Sequence, residues 1–282
     1  MTKENGFMTA LTPREIMIKQ SEGSVPKAEG STGKLFVLAM LAGAFIALGA
    51  QASLMASFNL TSDPATFGVG KVVMGAVFPV GLMMVVLCGA ELFTGNCLMV
   101  IGILDKRIRI SQMLRNWVIV YIGNLVGSLI IVFCIAYSGL WDSGAGLLGA
   151  VTVKTAVGKC SLSFGRAVIL GVFCNFLVCL AVWMATGSQE TIGKIFAIWF
   201  CIGLFIISGF EHSVANMYFI PAGMIAAGND AYVSLLSLDT GSLTLFGFLI
   251  KNLLPVTIGN IIGGSIFVGV TYWGCYRDRK IQ

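Results

Sequence analysis

Two carboxylates stand where a charged side chain is costly, and each is followed five residues later by a carboxamide. Glu91 and Asn96 lie in Gly89-Ala90-Glu91-Leu92-Phe93-Thr94-Gly95-Asn96, and Glu211 and Asn216 in Gly209-Phe210-Glu211-His212-Ser213-Val214-Ala215-Asn216. Both octets fall inside apolar runs, 70–104 and 195–228, and these glutamates are the only acids within the apolar segments. At bilayer depth such groups must face a protein-enclosed space or a water-filled cavity. A carboxylate pointed at an anionic solute would repel it, so Glu91 and Glu211 are expected to organise the local backbone by accepting hydrogen bonds. His212 is the only histidine of the chain, and its ordinary pKa of about 6.5 lets it give and take a proton near neutrality. Two uses stay open for it: exchanging a proton with a passing solute, or holding the break at Glu211 in shape. Thr94 offers a hydroxyl that can donate and accept, toward a solute or back to its own helix.

The elements that carry these residues cannot be simple helices. The run 195–228 would be about 50 Å long as a helix, at ~1.5 Å per residue, against a hydrocarbon core of ~30 Å. It must break, and so must 70–104, each at its glutamate. The two octets are 120 positions apart, and a second pair of matches accompanies them. Asn116, Gly123, Asn124 and Gly127 reappear at the same internal spacing as Asn252, Gly259, Asn260 and Gly263. Small polar residues recur in any helix interface, but not at a conserved asparagine spacing, so the pattern reads as a duplication.

Composition sets the class. The chain is 57% apolar and 11% charged, with a mean hydropathy of +0.90, which excludes an ordinary soluble globule. Six spans are read at about 35–57, 70–104, 113–140, 165–186, 195–228 and 246–273. With both termini on one side, that side holds 13 of the 18 basic residues, and the positive-inside bias places it in the cytoplasm. The opposite side has Lys71, Lys154, Lys159, Arg166 and Lys251. Three spans per repeat require inverted topology, with a site where the repeats meet at the midplane. Residues 1–34 are expected as a cytoplasmic segment with a short helix, capped by Thr12, Pro13 and Glu15 and stopped by Gly23 and Pro26. The channel domain follows at 35–276, with repeats at about 35–140 and 165–273, and a cytoplasmic tail at 277–282. The glycine-rich connection 138–164 is expected as an outer loop over a vestibule, with Cys160 outside beside Lys159. The other seven cysteines read as small residues of apolar segments, since no Cys-x-x-Cys occurs.

A pore or carrier follows, since nucleophile constellations, phosphate-binding loops and zinc-spaced clusters are lacking; neither an enzyme nor a cofactor is expected. No basic side chain is identified inside a span, so an anion would be held by backbone amides, Thr94, Asn260 and His212, or pass as its neutral acid. The two octets, with Met217-Tyr218-Phe219-Ile220-Pro221-Ala222-Gly223, Pro255 to Gly264 and Val178 to Trp183, resemble the signatures of the formate/nitrite transporter family, close to its formate-channel branch. The resemblance implies an all-α, aquaporin-like membrane fold of six spans with two broken helices, assembled as a homopentamer with one pore per protomer. It implies an outer constriction at Phe78, Leu82 and Phe205 and an inner one at Leu92, Phe93 and Val178. Thr94, His212 and Asn260 lie between them in that reading, Lys159 attracts anions in the vestibule, and Glu91, Glu211, Asn96 and Asn216 organise the breaks. The expected solute is a small monovalent anion of a weak acid, formate first, nitrite or hydrosulfide next, with protons as a possible co-substrate. Alternatives of another class are a neutral-solute pore of water or glycerol type and a structural membrane subunit.

Overall fold

A computed structural model describes residues 10–277; the tail expected at 277–282 lies almost wholly outside the described residues, as do positions 1–9 of the amino-terminal segment. Among the described residues the fold is all helical, and six helices are long and apolar enough to cross a membrane. They are α2 (Thr32–Ser62), α3 (Phe67–Cys88), α5 (Ile110–Tyr137), α7 (Phe164–Gly187), α8 (Thr191–Ser208) and α11 (Gly247–Tyr276). Between them come α1 (Pro13–Glu29), α4 (Phe93–Leu104), α6 (Leu147–Cys160), α9 (Ser213–Ala226) and α10 (Asp230–Leu235).

Both overlong runs break at their glutamates. Gly89 and Gly209 end α3 and α8 with φ of +78° and +76°, a left-handed conformation that favours glycine. Residues 90–92 and 210–212 are non-helical, and α4 and α9 start directly after them. Small residues let the spans approach closely: a Cβ on Gly43 would stand 2.0 Å from the Asn124 carbonyl oxygen, and one on Gly263 2.1 Å from that of Val172.

Two elements differ from expectation. Helix α1 does not stop at Gly23 or Pro26 but runs on to Glu29. Its capping box forms as expected, the Thr12 amide donating to Glu15 Oε2 at 2.8 Å. Packing then carries it through the breakers, because Ile16, Met17, Ser21, Ser24 and Ala28 are buried against neighbouring helices, which outweighs weak intrinsic propensity. The connection 138–164 is not a surface loop. It holds α6, whose Leu148, Ala150, Val151, Thr152, Val153 and Ala156 are buried against α9, and Cys160 is buried at its end. Each repeat therefore includes a helix before its first span, α1 in one and α6 in the other.

Candidate functional site at the two helix breaks

Each break is tied down by the same set of bonds. The Glu91 amide donates to the Leu38 carbonyl at 3.2 Å, and the Glu211 amide to that of Leu170 at 3.2 Å. Asn124 Nδ2 donates to the carbonyls of Ala39 (2.8 Å) and Glu91 (2.9 Å), while its Oδ1 accepts from the Phe93 amide. Asn260 does the same in the other repeat: Nδ2 donates to Gly171 (2.8 Å) and Glu211 (3.0 Å), and Oδ1 accepts from the Ser213 amide. The amides and carbonyls at the breaks have no helical partners there, and in a bilayer they must be satisfied within the protein.

The carboxylates are held symmetrically too. Glu91 accepts from Lys27 Nζ at 2.8 Å and from Asn96 Nδ2 at 2.7 Å; Glu211 accepts from Lys159 Nζ at 2.8 Å and from Asn216 Nδ2 at 2.6 Å. Asn96 donates also to Asn116, and Asn216 to Asn252. Asn116 and Asn252 in turn donate to the backbone carbonyls of Lys27 and Lys159. Two differences remain: Lys27 Nζ bonds both carboxylate oxygens of Glu91 and Lys159 Nζ one of Glu211, and Asn96 Oδ1 accepts from Lys27 Nζ at 2.9 Å, whereas Asn216 Oδ1 has no partner among the described residues.

Two lysines thus reach the break acids, where the sequence had offered no basic group within the spans. Lys27 arrives on α1 and was not singled out; Lys159 arrives on α6. Each stands eleven positions before a matched residue of the following span, Leu38 or Leu170, and that spacing is the signal which extends the repeat upstream. Lys159 lines a cavity of about 390 Å³, on the side expected as outer, with Glu211 and Phe219, but it is not a free vestibule charge. Its ion pair with Glu211 leaves the side chain 15% exposed.

Between the breaks lies a much smaller void, about 10 Å³, lined by Ile46, Phe78, Leu82, Leu92, Val178, Ile202, Phe205 and His212. That is room for about one water molecule. Phe78 meets Phe205 edge-on at 5.6 Å between ring centroids, and Phe219 stacks on Phe78 at the foot of the outer cavity. His212 Nδ1 accepts from the Ala215 amide at 3.0 Å, capping α9. In the neutral ring the hydrogen then sits on Nε2, 2.9 Å from Thr94 Oγ1, which joins the two breaks at one point.

Three expected pore residues are not in the lining of the void, and of these Thr94 reaches it only through its contact with His212. Asn260 does not line the void, because its amide is spent on the backbone of the second break. Phe93 turns away and packs edge-on against Tyr121 and Trp117, at 4.9 and 5.8 Å. Asn175, on α7, donates to the carbonyls of Thr94 (3.2 Å) and Asn260 (2.6 Å) and so fixes the two breaks relative to each other.

The sequence matches the formate/nitrite transporter family over residues 14–274. The chain belongs to the formate/nitrite transporter family. It is 44% identical over 264 residues to a probable formate transporter of Methanothermobacter thermautotrophicus, covering 89% of this chain and 91% of that protein. Against the formate channel FocA of Escherichia coli K12 it is 38% identical over 281 residues, with 98% of each covered. Among solved structures, an FNT family ion channel superposes with a TM-score of 0.79 at 31% identity, covering 93% of this chain and 98% of that one. A pentameric formate channel with formate bound gives a TM-score of 0.75 at 33% identity, covering 88% and 98%. Members of the formate/nitrite transporter family are transport channels, not enzymes, and the two-break architecture here belongs to that fold.

Proposed function

We propose that this chain is a homopentameric channel for small monovalent anions of weak acids, with formate as its principal solute and nitrite and hydrosulfide as alternatives. The observation that carries the reading is the Thr94–His212 contact at a void closed by apolar side chains. A bare anion entering such a dry passage loses most of its hydration energy, whereas the neutral acid does not. The Nε2–H of His212 is the polar donor at the void and can stabilise an anion there or, once Nδ1 has taken up a proton from the medium, pass its own proton to the anion, leaving the ring neutral again. Passage is then favoured as pH falls and is proton-coupled. Loading His212 with a second proton would cost the Ala215 cap, so the neutral ring is its resting form.

The void is too small for formate in this conformation, so the aromatic residues Phe78 and Phe205 must move for conduction. The likeness to a pentameric channel with formate bound supports both the assembly and the solute, and the basic residues of the inner side support a cytoplasmic membrane location with cytoplasmic termini. The test is uptake into proteoliposomes of formate, nitrite, hydrosulfide, acetate and glycerol at pH 5.5 and 7.5. The expected result is formate uptake faster at the lower pH, with glycerol excluded; glycerol flux without formate flux would favour a neutral-solute pore.

A further inference from the structure

With Lys159 committed to Glu211, the outer cavity needs another charge to receive an anion. Its polar lining is quickly accounted for. Thr61 and Thr155 donate their hydroxyls to the backbone of their own helices, at Ser57 and Val151. Lys154 is exposed to solvent. Lys71 remains, a part-buried lysine on α3 that lines the same cavity. Among the described residues no hydrogen bond or ion pair occupies its ammonium group. Glu211, the acid in this lining, is already shared between Lys159 and Asn216.

An unpaired lysine inside a membrane span is costly, and such residues mark solute pathways. Its place on the helix gives the direction. Lys71 and Phe78 are seven residues apart, so they share one face of α3, with Lys71 about 10 Å farther out along the axis. Met74, between them, lines the cavity too. A cation at this height faces the approach to the first aromatic constriction. The exposed head of Lys154 is hydrated, whereas Lys71 stands against low-dielectric walls that focus its field.

We propose that Lys71 is the anion-binding group of the outer cavity: a small monovalent carboxylate docks on its ammonium before it meets Phe78 and Phe205. The inference rests on the channel reading above. Lys159, with Glu211, shapes the floor of the same cavity, and Lys71 supplies its uncompensated charge.

Initial formate uptake into proteoliposomes should be measured against concentration, at low and at high salt, for wild type, Lys71→Gln and Lys71→Arg. Loss of the charge is expected to raise the half-saturating concentration about 3- to 10-fold at low ionic strength, with little change in maximal rate. The difference should shrink in 1 M salt, where screening acts over about 3 Å. Lys71→Arg should behave as wild type. An unchanged half-saturating concentration in Lys71→Gln, beside a conducting wild type, overturns this inference and leaves the channel reading standing; so does equal impairment by Arg and Gln, which would indicate packing. A wild type that carries no small anion overturns both. If Lys71→Gln fails to assemble, Lys71→Cys modified with a cationic or an anionic methanethiosulfonate reagent, beside identically treated wild type, gives the comparison. The cationic adduct should bind formate more tightly than the anionic one, and equal behaviour of the two adducts overturns the inference.

Discussion

Glu91 and Glu211 are each neutralised by one lysine and bridged by one asparagine, so the chemistry of the breaks is first a matter of buried charge. Removing one partner of a buried ion pair costs about 3–5 kcal/mol, because the other charge is left unpaired. Lys159 and Glu211 are 15% and 8% exposed, whereas Lys27 is 33% exposed. Lys159→Gln should therefore lower the thermal midpoint of the purified oligomer clearly, and Lys27→Gln should lower it less, since water screens the more exposed pair. Equal, negligible shifts would mean that neither pair is structural. Glu91→Ala and Glu211→Ala should reduce assembly as well as flux, judged by size-exclusion profiles beside uptake. Normal oligomers that had lost conduction alone would instead give the carboxylates a direct part in transport.

At the scale of elements, the breaks depend on helices that pack backbone to backbone. Gly127 would place a Cβ 1.9 Å from the Met40 carbonyl oxygen, whereas a Cβ on Gly158 meets nothing within 4 Å. Gly127→Ala should abolish folded protein and Gly158→Ala should leave it intact, as monodisperse yield would report. The first turn of α1 carries its own pH dependence. The backbone amide and then the hydroxyl of Thr12 hold the Glu15 carboxyl below its ordinary pKa. That contribution is complete above the ordinary carboxylate value and is lost as pH falls through the lowered one. Amides of the first turn of α1 should thus lose protection from hydrogen exchange in acid before those of the spans.

These elements were unequally legible. The breaks could be placed because an apolar run longer than the bilayer and containing an acid has few alternatives. Asn116, Asn124, Asn252 and Asn260 could be paired by spacing, yet spacing does not say that an amide is spent on backbone, and the family resemblance placed Asn260 between the constrictions. Helix α6 was hidden by its glycines, and the length of α1 by Gly23 and Pro26, because burial against neighbouring spans is a tertiary effect that local propensity does not carry. Lys27 was missed because its ion pair spans 64 positions and its only trace is the eleven-residue spacing it shares with Lys159, which becomes visible once Leu38 and Leu170 are matched.

The whole molecule presents apolar side chains such as Val118, Ile130, Phe133, Phe200 and Leu204 on its flanks, suited to lipid or to neighbouring protomers. Its orientation can be tested on a chain whose native cysteines are replaced, since Cys88, Cys134 and Cys275 are exposed. Ala65 and Ser111 are exposed at opposite ends of the spans. A cysteine at position 65 should react with an impermeant reagent in intact cells and one at 111 should not; the reverse labelling would invert the topology.

The molecule as a whole is held to carry a weak-acid anion together with a proton past apolar constrictions on either side of His212. Formate uptake and luminal pH, recorded together in proteoliposomes of wild type and His212→Asn, test this most directly. Wild type should take up formate with acidification that grows as the outer pH falls. The variant should assemble normally and lose the pH-dependent, proton-coupled component. Unchanged pH dependence and unchanged proton movement in His212→Asn would contradict the account and leave His212 as the cap of α9 alone.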